Sequence, residues 1–435
     1  MLNMLFRAFK RIKNIPIIKV SSLTAVATVV RVATNLILSK VLAITVGATG
    51  IALVGQIING SNIFMNIASG GLSQGITKYI AETDDFKERK KIINTVYTFV
   101  LFASIFVAAV LIIFAPFWSN YFFHTNEYWD VIIYMGVFIV FFAYNSVILA
   151  IINGLKQFKL FVIVNIANNI VGLLITVILL YFFNLRGALI ATVLYQSVVF
   201  FVTIFFIRNQ KKIFSFSQLI LPSELIKKLL GFSLMMFISI ICISVSQIYI
   251  RTFIASHISF KDAGIWEALN RISAGYLLFA SASIVTYYLP RLSELQNPKD
   301  VWNEILHSSK AILPLVAMAS LLVFLFRKII ILVLFDKSFM YMEDLFMWQM
   351  IGDFLKITAW MFAYTMWAKR WVTIFVISEI SLALVYCLLS VVCIDNFKLG
   401  LYGAPVAYCV TYVLYLLGIF FMVKQKLGIS FKPFR

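Results

Sequence analysis

Apolar runs of about twenty residues recur along the whole chain, and they leave little choice of fold. A helix needs roughly 20 apolar residues to cross the ~30 Å hydrocarbon core of a bilayer, making every backbone hydrogen bond within the segment. On that measure the sequence predicts twelve spans, at 20–45, 51–80, 92–116, 129–152, 160–183, 187–207, 225–250, 264–289, 309–334, 344–367, 371–393 and 400–423. The ninth is the least clean, because Arg327 and Lys328 interrupt it. Of the 435 residues 62% are hydrophobic and 13% charged, and mean hydropathy is +0.97. Too little polar surface is left to coat a water-soluble globule. A soluble enzyme, a secreted scaffold and a disordered chain are all excluded. The expected class is an all-α integral membrane protein.

The formal net charge of +19 would point to nucleic acid in a soluble protein. Here its distribution explains it better. With the N-terminus inside, the cytoplasmic segments collect Arg7–Lys19, Lys87–Lys91, Arg208–Lys228 and Lys424–Arg435, among others. Lys and Arg on that side outnumber those on the opposite loops by more than three to one. Short loops rich in cations stay cytoplasmic, so both termini are expected inside a bacterial inner membrane, with membrane lipids as partners and no nucleic acid. Arg31 sits in the middle of the first apolar run and no small-residue cleavage site follows, so that run is expected to remain a helix. Cys242, Cys387, Cys393 and Cys409 lie inside apolar runs without paired spacing and read as small hydrophobes.

The longest central connection, about Arg208–Glu224, divides the chain into a six-helix bundle at 1–210, a linker at 211–224 and a six-helix bundle at 225–435. A weak internal echo supports the division. Gly47-Ala48-Thr49-Gly50-Ile51 before the second span resembles Lys261-Asp262-Ala263-Gly264-Ile265 before the eighth. Repeated halves with a substrate path between them are a common transporter plan. No connecting loop is long enough to carry a catalytic domain. Asp84-Asp85 lies in a mixed charge run and reads as a solvated loop rather than a metal motif, and His124, His257 and His307 are scattered. No metal site or catalytic residue is expected.

The informative residues are the charges placed inside spans. A central Arg, Lys or Asp costs about 2.5–3.5 kcal/mol on insertion scales, so it normally meets a partner or a wet cavity. Arg31 lies near mid-depth of the first span, and Lys40 nearer its outer end, where it could also snorkel. Lys78 is close to the cytoplasmic end of the second span. Glu267 and Arg271 are spaced i,i+4 on the eighth span, with the acid in the favourable N-terminal place. Asp353 and Lys356 share one face of the tenth span, and Glu379 lies well inside the eleventh. Cations exceed acids in this set. Arg31, Lys40, Arg271 and Lys356 are therefore candidate contacts for an anionic cargo. Glu267, Asp353 and Glu379 are candidates for ion pairing or for coupling to a proton or sodium ion.

Certain segments resemble a known family. They are Val30-Arg31, Ser39-Lys40-Val41-Leu42-Ala43, Gly75-Ile76-Thr77-Lys78-Tyr79-Ile80-Ala81, Ala263-Gly264-Ile265-Trp266, Tyr287-Tyr288-Leu289-Pro290-Arg291-Leu292-Ser293, Asp344-Leu345-Phe346, Trp348-Gln349, Gly352-Asp353 and Leu355-Lys356. Together they are similar to the Wzx-type flippases of lipid-linked oligosaccharides, within the superfamily that also holds the multidrug and toxic-compound extrusion (MATE) transporters. The resemblance spans nearly the whole chain. It implies twelve helices in two six-helix lobes around a central cationic cavity. Its implied activity is movement of undecaprenyl-diphosphate-linked glycan to the periplasmic leaflet for surface polysaccharide assembly, with no covalent chemistry. The sequence departs from the family at Arg31, where Lys is usual, and at Glu267 and Arg271, where uncharged residues are usual. Both an O-antigen repeat and the enterobacterial common antigen intermediate stay open as cargo. A polysaccharide polymerase and a chain-length regulator are the protein partners this implies. An ion-coupled multidrug exporter and a membrane polysaccharide polymerase are the alternative functions.

Overall fold

A computed structural model of the chain describes residues 16–208 and 223–429. The expected basic N-terminal cluster up to Lys13 and nearly all of the 211–224 linker lie outside the described residues. Within them the expected all-α class holds, with no strand. In chain order the helices are α1 Pro16–Ala68, α2 Ser73–Glu82, α3 Phe86–Ile113, α4 Ala115–Phe123, α5 Trp129–Gly154, α6 Phe158–Ile207 and α7 Ser223–His257. They continue as α8 Phe260–Ser283, α9 Leu289–Glu294, α10 Pro298–Leu325, α11 Arg327–Leu334, α12 Phe346–Ala368, α13 Val372–Val391 and α14 Gly403–Lys426.

Among the described residues, eight helices are long and apolar enough to cross a membrane. Two of the eight are too long for one crossing. The 50 residues of α6 would make a rod of about 75 Å at 1.5 Å per residue. Asn184 breaks it with φ 48° and ψ −131°. A Cβ on Gly172 would stand 2.8 Å from the ring of Tyr195. In a straight helix those residues lie roughly 35 Å apart. The chain therefore reverses at Asn184, and α6 is a hairpin of two spans, matching the expected 160–183 and 187–207. In α1, Gly47 makes the corresponding break at φ 63°, a backbone region that glycine enters without a Cβ clash. α8 and α12 stand at the eighth and tenth expected spans, but their charged residues make them too polar to qualify on composition alone.

Other boundaries differ from expectation for local reasons. The 51–80 run ends at Ala68, because Gly70 and Gly71 both take positive φ and turn the chain before α2. The ninth run is two helices. α10 starts eleven residues early, where Asn297 caps the backbone N–H of Lys299 and Pro298 fills a position needing no donor. It stops at Leu325, and Arg327 opens the separate α11. After α8 a π-helical segment, Ile284–Tyr288, precedes Pro290. Proline has no N–H to give the preceding turn, and a widened turn absorbs the loss. Asp85 caps α3 at Lys87 and Glu88, and Asp84 lies 3.5 Å from Arg89, as expected of a solvated loop.

Two compact units emerge. The first combines residues up to Leu38 with Phe64–Ser233, and the second combines Ser39–Ile63 with the chain from Leu234 onward. In the first, α5 packs against α2, α3 and α6. In the second, α12 packs against α10 and α14. Lipid tails are as apolar as leucine, so helices associate through close packing and hydrogen bonds rather than hydrophobic expulsion. Both devices are present. A Cβ on Gly264 would stand 1.8 Å from the Ala48 carbonyl oxygen, so the two echoing segments touch backbone to backbone. Thr203 donates to Asn145 at 2.7 Å, and Ser197 to the Phe138 carbonyl at 2.8 Å. Large apolar side chains instead lie exposed, Ile113 by 68% and Leu388 by 65%, the surface of a multi-pass membrane protein.

Candidate functional site

The second unit buries two groups of charged side chains. The first is built on α7 and α8. Arg251 lies at the C-terminal part of α7 among the buried Ile248, Ile250 and Ile254, and it is 2% exposed. One guanidinium nitrogen donates to Gln56 Oε1 at 2.8 Å and the other to Glu267 Oε2 at 2.5 Å. Arg271, one turn beyond Glu267 on α8, donates through Nε to Glu267 Oε1 at 3.1 Å. Gln56 turns its amide to the Thr252 hydroxyl at 2.8 Å. Gly55 makes the space, since a Cβ there would meet the Glu267 carboxyl group at 2.6 Å.

One carboxylate thus serves two guanidinium groups, and the cluster carries a formal surplus of one positive charge. Arg251 Nε and Arg271 Nη2 are buried without a partner. Buried charge is costly unless it is paired and its donors are satisfied. An anion is the ligand that both the surplus charge and the spare donors fit. The expected Glu267–Arg271 pair is present, but the Arg251 arm is new. Ending the seventh span at 250 puts Arg251 among loop residues. Helix α7 runs on to His257 and carries it inside.

The second group centres on α12. Asp353 is fully buried and accepts from the Tyr276 hydroxyl at 2.8 Å and the Tyr408 hydroxyl at 2.9 Å. Gln349, one turn earlier on the same face, reaches Asp353 at 3.5 Å and Ser273 at 3.1 Å. Gly352 admits the Tyr408 ring, which a Cβ would meet at 2.3 Å. Lys356 shares the face, but no ion pair within 4.0 Å joins it to Asp353 among the described residues. Its Nζ instead stands over the rings of Trp360 at 5.2 Å and of Tyr408 and Tyr412 at 5.8 Å. These distances suit cation–π attraction. Glu379 on α13 accepts from Ser239 at 2.8 Å and Tyr415 at 3.2 Å, and with Asp353 exerts a coulombic pull on Lys356. Counted formally, with both acids and the lysine ionised, this group has a surplus of one negative charge.

The remaining candidates stand apart from both groups. Lys40 donates through Nζ to the carbonyl oxygens of Leu332, at 2.8 Å, and Phe335. It caps the C-terminal end of α11, where a cation meets the negative end of the helix dipole. Arg31 belongs to the first unit. It is exposed, has no carboxylate within 4.0 Å among the described residues, and acts electrostatically on Tyr195. Lys78 stands 3.8 Å from Glu82.

Comparison with known proteins places this architecture. The sequence profile of a family described as "Polysaccharide biosynthesis protein" matches residues 57–344. The chain belongs to that family. The lipid III flippase of Escherichia coli K12 is 28% identical over 413 residues, covering 94% of this chain and 99% of the relative. The same figures hold for the lipid III flippase of Shigella flexneri. Among solved structures, an inward-facing MATE-family multidrug transporter superposes with a TM-score of 0.74 at 14% identity, over 92% of this chain and 94% of its own. The lipid II flippase MurJ in an inward closed state gives 0.71 at 14% identity, over 94% and 87%. The fold is therefore MATE-like, and the resemblance read from the spans is borne out. Named relatives are flippases and transporters, in keeping with a chain that is not an enzyme. The family match includes the Arg251–Glu267–Arg271 group and stops before Asp353.

Proposed function

We propose that this protein is a flippase that moves undecaprenyl-diphosphate-linked oligosaccharide from the cytoplasmic to the periplasmic leaflet of a bacterial inner membrane. The glycan is an O-antigen repeat or the enterobacterial common antigen intermediate. The observation that carries the reading is the end-to-end match to lipid III flippase, at 28% identity over 94% of the chain. The chemistry supports it. A diphosphate brings the negative charge that the Arg251–Glu267–Arg271 group lacks. Arg31, exposed and without a carboxylate within 4.0 Å among the described residues, is a separate candidate contact in the first unit. Both termini face the cytoplasm, the chain makes twelve crossings in two lobes, and the polyprenyl tail stays in lipid while the headgroup crosses by alternating access.

Asp353 and Glu379 are the coupling acids in this proposal. With Lys356 they form a set that is formally one charge negative, which a proton or a sodium ion would neutralise. Neutralisation and release then bias the α12–α13–α14 packing between two states. A polymerase and a chain-length regulator act on the delivered glycan.

Deletion of the gene tests the reading. Surface polysaccharide is expected to disappear and lipid-linked intermediates to accumulate, with drug susceptibility unchanged. Intact surface glycan together with raised drug susceptibility would assign the protein to multidrug export instead.

A further inference from the structure

Helix α6 carries a polar face that none of the charged groups uses. Asn165, Asn168, Asn169 and Gly172 fall within an arc of about 100° at 3.6 residues per turn, on a helix otherwise almost wholly apolar. Asn168 lies ten residues into the first arm of α6, about 15 Å along it, and so near the bilayer midplane. Amide side chains at that depth normally face other protein or a wet cavity.

The face is made of amides, which both donate and accept. Asn165 commits one Nδ2 hydrogen to the Phe161 carbonyl at 2.7 Å, and Asn169 commits one of its own to the Asn165 carbonyl at 2.8 Å. The Asn168 Oδ1 is buried with no partner. Leaving such an oxygen unsatisfied is costly, and a ligand donor would recover the loss. Gly172 brings the Tyr195 ring of the returning arm onto the same face, and Arg31 lies within electrostatic reach of Tyr195. A face of uncharged amides brings no charge of its own to hold a phosphate or a metal cation, but it can both donate to and accept from hydroxyl groups. What remains is a neutral ligand rich in hydroxyl and amide donors that can rest against an aromatic ring. That is the chemistry of a sugar.

We infer that the Asn165–Asn168–Asn169 face with Tyr195 is a glycan subsite in the first unit, holding the neutral sugar next to the diphosphate while Arg31 meets the charge. This rests on the flippase reading above and adds a location for sugar recognition. It makes the first unit the reader of hydroxyl groups and the second the holder of buried charge.

Native mass spectrometry of the purified full-length protein tests it, using undecaprenyl diphosphate and undecaprenyl diphosphate bearing one N-acetylglucosamine as probes. The unmodified protein is expected to prefer the sugar-bearing lipid by about tenfold, the scale of one or two added hydrogen bonds. Asn168→Leu should bring the ratio of the two affinities close to one, with Asn168→Gln restoring part of it. Arg31→Ala should weaken both lipids and leave the ratio standing. Should Asn168→Leu not accumulate, Asn165→Ala and Asn169→Ala are read the same way. An undiminished ratio in the folded variants, or equal binding of both lipids by the unmodified protein, overturns the subsite and leaves the flippase reading intact. Binding of neither lipid overturns both.

Discussion

The two buried charge groups of the second unit are built on opposite plans. Around Glu267, two guanidinium groups share one carboxylate and two of their donors stay unused. Around Asp353 and Glu379, hydroxyl groups of Tyr276, Tyr408, Ser239 and Tyr415 solvate the carboxylates, and the nearby cation rests on aromatic rings. One group is short of a negative charge and the other of a positive one, yet neither satisfies the other. Charges that only held helices together would pair off, because an unpaired charge in this environment is expensive. Opposite formal surpluses within one unit, with no ion pair joining the two groups among the described residues, suit the proposed cycle in which an anionic cargo and a coupling cation bind separately.

Replacing Arg251 gives the sharpest test of that contrast. Arg251→Ala leaves Gln56 Oε1 and Glu267 Oε2 buried without their donor, although Arg271 still holds Glu267 Oε1, and loss of one member of a buried pair costs about 3–5 kcal/mol. Thermal unfolding in detergent should show a large drop, accompanied by loss of protein from membranes. A melting temperature near that of the unmodified protein would mean the arginine is not structural.

Arg271→Ala removes the more accessible arm and leaves the Arg251–Glu267 pair intact, so stability should fall less. Affinity for undecaprenyl diphosphate should drop by about tenfold, or roughly 1.4 kcal/mol. If stability and affinity fall as far as in Arg251→Ala, the distinction between a structural and a binding arm fails.

On the acidic side, Asp353→Asn keeps the shape and one acceptor oxygen while removing the charge, and the Tyr276 hydroxyl can turn to accept from the new NH2. Protein abundance should hold, but dependence of transport on an imposed proton or sodium gradient should fall to a small fraction, measured in proteoliposomes. Gradient dependence equal to that of the unmodified protein would assign Asp353 to packing alone.

Lys40→Met is the smallest effect. The side chain keeps its length and loses the cap on Leu332 and Phe335, a helix-end interaction worth about 0.3–1 kcal/mol. A modest fall in melting temperature with unchanged lipid affinity is expected. A tenfold loss of affinity would return Lys40 to the cargo contacts.

Much of this protein is legible from local pattern. Span length and the i,i+4 spacing of Glu267 and Arg271 are properties of consecutive residues, and helical periodicity alone places them; the turn at Gly70 and Gly71 is local too, but the expected 51–80 span ran through it. The same periodicity misleads at Asp353 and Lys356. They share a face as spacing requires, but tyrosines from α8 and α14 take the carboxylate and the lysine turns to rings. Arg251 escaped notice because its partners, Gln56 and Glu267, stand on other helices. Asn165, Asn168 and Asn169 escaped because neutral amides cost less in a membrane than charges and so draw less attention. The chain by itself determined that it must cross a bilayer many times and where polar groups interrupt the crossings. Only the tertiary structure decided which groups meet, because the nearest neighbour of a side chain in a helical membrane protein is set by how helices pack, and sequence distance carries little of that information.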